Sequence, residues 1–108
     1  GVDAAVACMA AQQQVCADLA VPFDPAGLGM TCRISLDLYG APAFEARHDM
    51  PEDPRSSGWE FTTPDADPWA LVPEPLYLVA QHYPDVLPYL ALPFGRGFRY
   101  EGGVVTAG

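Results

Sequence analysis

Residues 3–20 hold neither glycine nor proline, whereas all twelve prolines of the chain lie at or beyond Pro22. Proline fixes φ, removes a backbone donor and pushes the residue before it out of the helical region, so only this first segment is free to form a long helix. Asp3 suits the N-cap or first turn, alanine is the commonest residue, and Val6, Met9, Gln13, Cys16 and Leu19 fall near helical spacing. The reading is a helix over 3–20, ended by Pro22, with Pro22-Phe23-Asp24-Pro25 opening an irregular link to Gly29.

Beyond the link the hydrophobic period changes. Met30, Cys32, Ile34, Leu36 and Leu38 alternate with Thr31, Arg33, Ser35 and Asp37, the pattern of a half-buried strand. Tyr39-Gly40 turns the chain and Ala41 to Arg47 gives a second strand, so the two are expected to form a hairpin. Residues 48–57, with two prolines and three acids, read as a solvated loop. Gly58 to Thr62 is a third strand, in which Trp59 and Phe61 alternate with Glu60. Residues 63–75, with four prolines and three acids, read as a second loop, pinned to the core by Trp69 and Leu71. Two short helical segments follow, Leu76 to His82 and Asp85 to Leu90, then a last strand from Gly97 to Glu101. This order predicts a single α+β domain over 1–108: an N-terminal helix, a mainly antiparallel sheet of about four strands, and short helical segments before the last strand. Residues 1–2 and 103–108 are expected to fray.

Such a domain needs a core, and the chain can supply one. Area scaling gives roughly 16,800 Å² unfolded and roughly 5,800 Å² folded, so roughly 65% of the surface is buried, and half of the residues are apolar. Fourteen acids stand against five arginines, with no lysine, for a net charge of −9. That balance argues against nucleic acid and against an anionic membrane surface as partners, and leaves a cationic partner or plain solubility. No run approaches the roughly 18 apolar residues of a membrane span, and no signal peptide is visible. Cys8, Cys16 and Cys32 are an odd number without paired spacing, which points to reduced thiols and a cytoplasmic location.

Few residues offer chemistry. None of Ser35, Ser56 and Ser57 stands in a Gly-x-Ser-x-Gly elbow. Cys32 could meet His48 or His82 in space, but its inward register in a strand is that of an inert thiol. His48-Asp49-x-x-Glu52-Asp53 has ligand types for a divalent cation, without the spacing of calcium loops or zinc helices. Asp65-Ala66-Asp67 reads as loop polarity. Gly95-Arg96-Gly97 is too short for a phosphate loop, and its glycines suit positive φ or close packing at a turn. The expectation is a protein that is not an enzyme and uses no cofactor.

Several longer motifs carry a resemblance. They are Gln14-Val15-Cys16, Pro22-Phe23-Asp24-Pro25, Ile34-Ser35-Leu36, Arg47-His48 and Ser57-Gly58-Trp59. Further on come Glu74-Pro75-Leu76-Tyr77, Tyr83-Pro84-Asp85-Val86-Leu87-Pro88-Tyr89-Leu90 and Leu92-Pro93-Phe94-Gly95-Arg96-Gly97-Phe98. Over roughly residues 12–102 the chain resembles the immunity protein thirty-three-like family of bacterial polymorphic-toxin loci. It departs from the pattern after Trp59, where relatives often carry Gly-Glu and this chain has Thr62-Thr63-Pro64-Asp65.

The resemblance implies a small protein that binds a cognate toxin domain and blocks it, with no catalysis and no cofactor. Such a complex buries about 1,200–2,000 Å² in total. If the toxin is a nuclease, its groove is basic and the acidic charge steers association. The candidate contacts are the loop acids Asp49, Glu52 and Asp53 on one side and Asp65, Asp67 and Glu74 on the other, with Trp69, if exposed, as an aromatic anchor. Two alternatives stay open: a regulatory or structural domain of the same fold without a toxin, and a small metal-binding module using His48, Asp49 and Glu52. The oligomeric state is not legible.

Overall fold

A computed structural model describes residues 2–51, 53–67 and 69–107. The N-terminal helix α1 spans Val2–Asp18. Its end is marked by Ala20 at φ 55° and by the Val21 N–H, which donates to the Cys16 carbonyl at 3.0 Å. Strands β1 (Thr31–Ile34), β2 (Ala43–His48), β3 (Ser56–Thr62) and β4 (Val72–Pro75) follow, then helix α2 (Leu76–His82) and a 3₁₀ helix over Pro84–Tyr89. Strands β5 (Gly97–Glu101) and β6 (Val104–Ala107) close the described chain.

The expected α+β class holds, but the sheet is larger and differently wired. Six strands run in the order β4-β1-β3-β2-β5-β6. The sheet is mixed: β1 and β3 are parallel, and every other neighbouring pair is antiparallel. The hairpin expected between the first two strands does not form, because β3 lies between β1 and β2. Of the two strands missed, β4 falls inside the predicted loop 63–75 and carries Pro73 and Pro75. It forms an edge, where a residue without an N–H is tolerated. The other, β6, falls in the tail expected to fray. Gly102 and Gly103, at φ 57° and 89°, make a two-residue turn whose twist matches the flanking strands, and this folds Val104–Ala107 back on β5.

Strand β1 is shorter than its alternation predicts. Ser35 turns into the fold, where its hydroxyl accepts the Thr63 N–H at 3.1 Å. That reverses the phase, so Leu36, expected inside, is 77% exposed. The face of α1 is also rotated from the expected one. Val6, Met9 and Gln13 are exposed, while Gln12 and Cys16 are buried. The Gln12 amide donates to the Leu87 carbonyl at 3.1 Å and the Cys16 thiol to that of Ala91 at 3.4 Å. An alanine-rich helix has little apolar stripe of its own, so contact with the 3₁₀ segment sets its rotation.

Both helices and the 3₁₀ segment lie on one face of the sheet. There Cys32, Ile34, Phe44, Ala46, Trp59, Phe61 and Phe98 pack with Leu76, Val79, Val86, Leu90 and Leu92 to form the core. The opposite face is open and carries Arg33, Glu45, Arg47, Glu60 and Arg99. Arg33 pairs with Glu60 at 3.3 Å and Arg99 with Glu45 at 2.8 Å. Exposed pairs of this kind contribute only about 0–1 kcal/mol each.

Candidate partner interface

The strand directions separate the two acidic loops. Residues 49–55 join the end of β2 to the start of β3, whereas 63–71 leave the end of β3 and enter β4 beside the end of β1. The loops therefore lie at opposite ends of the sheet, with the seven residues of β3 between them, about 20 Å at strand rise. A single patch containing all the predicted acids does not exist.

At one end, acids and arginines are interleaved. Arg47 approaches Asp49 at 3.8 Å, Asp53 accepts the Arg55 N–H at 2.7 Å, and the Arg96 carbonyl accepts the His48 N–H at 2.9 Å, which puts Arg96 there too. Asp49, Met50 and Asp53 line an open groove that runs past Arg33 and Glu60 to Leu71 of the other loop. Glu52 lies outside the described residues. At the other end, Asp65 and Asp67 are exposed, and Asp37 joins them from the turn after β1, its carboxylate accepting the Thr63 hydroxyl at 2.6 Å. Trp69 does not pin its loop to the core: it is 91% exposed, while Leu71 is half-buried. Glu74 belongs with neither group. It pairs with Cys32 in the β1–β4 register, and its carbonyl accepts the Cys32 thiol at 3.3 Å.

His48 is not a loop residue or a free ligand. It ends β2 and is 2% exposed. Its ring stacks on Trp59 at 4.7 Å and 7°, with Phe94 tilted against it at 4.5 Å. Nδ1 lies 2.7 Å from the Leu92 carbonyl oxygen and Nε2 lies 2.8 Å from that of Ser57. Both ring nitrogens are thus committed to the backbone, which corrects the metal-module alternative. Among the described residues no group of three or more His, Cys, Asp and Glu could hold a metal ion. The signal was available in the sequence, because Phe44, Ala46 and His48 share one phase of the β2 alternation. The two glycines near Arg96 act as expected: Gly95 sits at φ 85°, and a Cβ on Gly97 would fall 2.1 Å from the Ala46 carbonyl oxygen.

The two buried thiols, Cys16 and Cys32, are unsuited to nucleophilic work. Burial, then the charge of Glu74, pushes Cys32 up to about 12, and burial with Asp24 raises Cys16. Burial, again with Glu74 next, pushes the Tyr39 hydroxyl up to about 12. A native state that keeps a proton the unfolded chain has released loses stability as pH rises. Stability is therefore expected to fall once pH passes the ordinary thiol value of 9.0, with Cys32 contributing up to about 1.4 kcal/mol per pH unit. Chemical denaturation between about pH 9 and 10 tests this; Cys32→Ala should flatten the slope, and an unchanged slope would refute the assignment. In the native protein at neutral pH, a thiol reagent should label the half-exposed Cys8 and spare the two buried thiols.

No described helix is long and apolar enough to cross a membrane. The Imm33-like domain family matches residues 11–106, most of the chain and nearly every element above. The chain belongs to the Imm33-like domain family. A search of the curated proteins gives no match, and neither does a search of the solved structures. In this Imm33-like domain two of the family-like motifs frame His48. Ser57-Gly58-Trp59 receives His48, and Leu92 to Gly97 closes over it.

Proposed function

We propose that this Imm33-like protein neutralises a cognate bacterial toxin in the cytoplasm by stoichiometric binding, without catalysis or a cofactor. The family match over residues 11–106 carries the reading, since the resemblance to an immunity family implies a protein that binds a toxin and blocks it. The charge of −9 favours a toxin with a basic working surface, as the phosphate-binding groove of a nuclease has. The buried thiols and the committed imidazole of His48 supply no nucleophile or base to an alternative enzymatic reading.

Co-expression with the toxin encoded beside it provides the test. Growth should be rescued, the two proteins should co-purify, and titrated inhibition should end at one inhibitor per toxin. Failure of both rescue and co-purification would sink the reading for that pair, and inactivation by far less than one equivalent would show turnover. Association should also slow markedly between low and physiological salt, because charge steering is screened over a Debye length of about 8–10 Å.

A further inference from the structure

Ile34 at the end of β1 pairs with Val72 at the start of β4, so the segments beyond these residues emerge side by side. Leu36 lies two residues past Ile34 and is 77% exposed; Trp69 lies three residues before Val72 and is 91% exposed. At strand rise both fall within about 10 Å of that pair. Folded domains rarely leave a tryptophan this bare, and the indole is the side chain most often found as a buried anchor in protein complexes. Trp69 stands in a hydrogen-bonded turn: the Asp67 carboxylate accepts the Trp69 N–H at 2.9 Å, and the Asp67 carbonyl accepts that of Ala70 at 3.0 Å.

The charge around this pair is predominantly negative, because Arg33, one residue before Ile34, is engaged by Glu60 at 3.3 Å. Asp37, Asp65 and Asp67 lie on segments 35–42 and 63–71, which contain no arginine or lysine. Arg99, whose partner strand residue is next to Thr62, is engaged by Glu45 at 2.8 Å. At the far end Arg47, Arg55 and Arg96 offset the acids. Resting on the inhibitor reading, we infer that the toxin docks on the Leu36–Trp69 end of the sheet, through a cationic protein surface whose apolar pocket takes the indole. Phosphate-bearing partners are repelled by the three carboxylates. A second copy of this chain would set the same carboxylates against themselves in a two-fold contact.

The experiment measures binding of the catalytically inactivated neighbouring toxin to the full chain and to four variants that retain its melting temperature. Trp69→Ala and Leu36→Ser should each weaken binding at least tenfold, chiefly through faster dissociation. Asp65→Lys should slow association, and Met50→Ser at the opposite end should change neither rate. Tryptophan emission supplies an independent readout, since Trp59 is buried and Trp69 carries the accessible signal. Acrylamide should quench the free protein and lose most of that effect in the complex. Wild-type-like binding by Trp69→Ala and Leu36→Ser, or quenching that persists in the complex, would overturn this surface while leaving the inhibitor reading intact. No binding by the unaltered protein would remove both, and Trp69-dependent self-association without toxin would assign the surface to a second copy.

Discussion

Gly58→Ala is expected to destabilise the fold by about 3 kcal/mol or more. Gly58 sits in β3 at φ 85°, where a Cβ is strained in any surroundings, and the surroundings here are closed. A Cβ would lie 2.0 Å from the Asp49 carbonyl oxygen and 3.3 Å from the His48 ring. The approach is this close because the Asp49 N–H donates to the Gly58 carbonyl at 2.9 Å, holding β2 and β3 together beside an irregularity in the β1–β3 register. Backbone cannot move aside as a flexible side chain can. Gly40 provides the control: it has φ 95° but nothing within 4 Å of its ideal Cβ. Gly40→Ala should therefore cost only the conformational part, about 1–2 kcal/mol. Equal losses for the two variants in denaturant unfolding would show that close approach is not the cause.

Trp59→Ala is expected to cost about 3–5 kcal/mol, the range for emptying a large buried aromatic site. Trp59 is 0% exposed and touches aromatic rings from three strands, β2, β3 and β5. Its ring stacks on His48 at 4.7 Å and also lies against Phe61 and Phe98 at centroid distances of 6.2 and 5.5 Å. Removing it takes away the wall that orients the imidazole, and with it the contacts by which His48 ties β3 and the 92–96 segment to β2. Against a total stability of about 5–15 kcal/mol, the loss should lower the melting temperature by roughly 15 °C or more. Trp69→Ala should barely move it, since that ring packs on almost nothing. Similar shifts for the two tryptophans would contradict the burial assigned to each.

The elements legible in the sequence were those written in local patterns. Helix α2 and strand β5 begin and end where the periodicity places them, and β2 is displaced by only one or two residues. Strand β4 was not legible, because two prolines in four residues describe a loop unless an edge position is known. Strand β6 was not legible either, because four residues after a pair of glycines look like a tail until β5 offers a partner. Leu36 read as core because the alternation before it is regular, and no neighbour in sequence announces the turn at Ser35. The acids and Trp69 were visible as candidates, but their sorting into two ends was not.

By itself, the sequence determined the single long helix, the inward phase of Cys32 and Ile34 in β1 and of Trp59 and Phe61 in β3, the strong negative charge and the membership in the Imm33-like family. The first three depend on residue type and on neighbours within a few positions, and the last on the order of short motifs along the chain. The tertiary structure alone decided that β3 separates β1 from β2, that α1 turns Gln12 inward, and that Asp37, Asp65 and Asp67 share an end with bare Leu36 and Trp69. Those outcomes rest on pairings between residues dozens of positions apart. Local propensity does not specify such pairings, which are selected by the burial and hydrogen bonding of the assembled sheet.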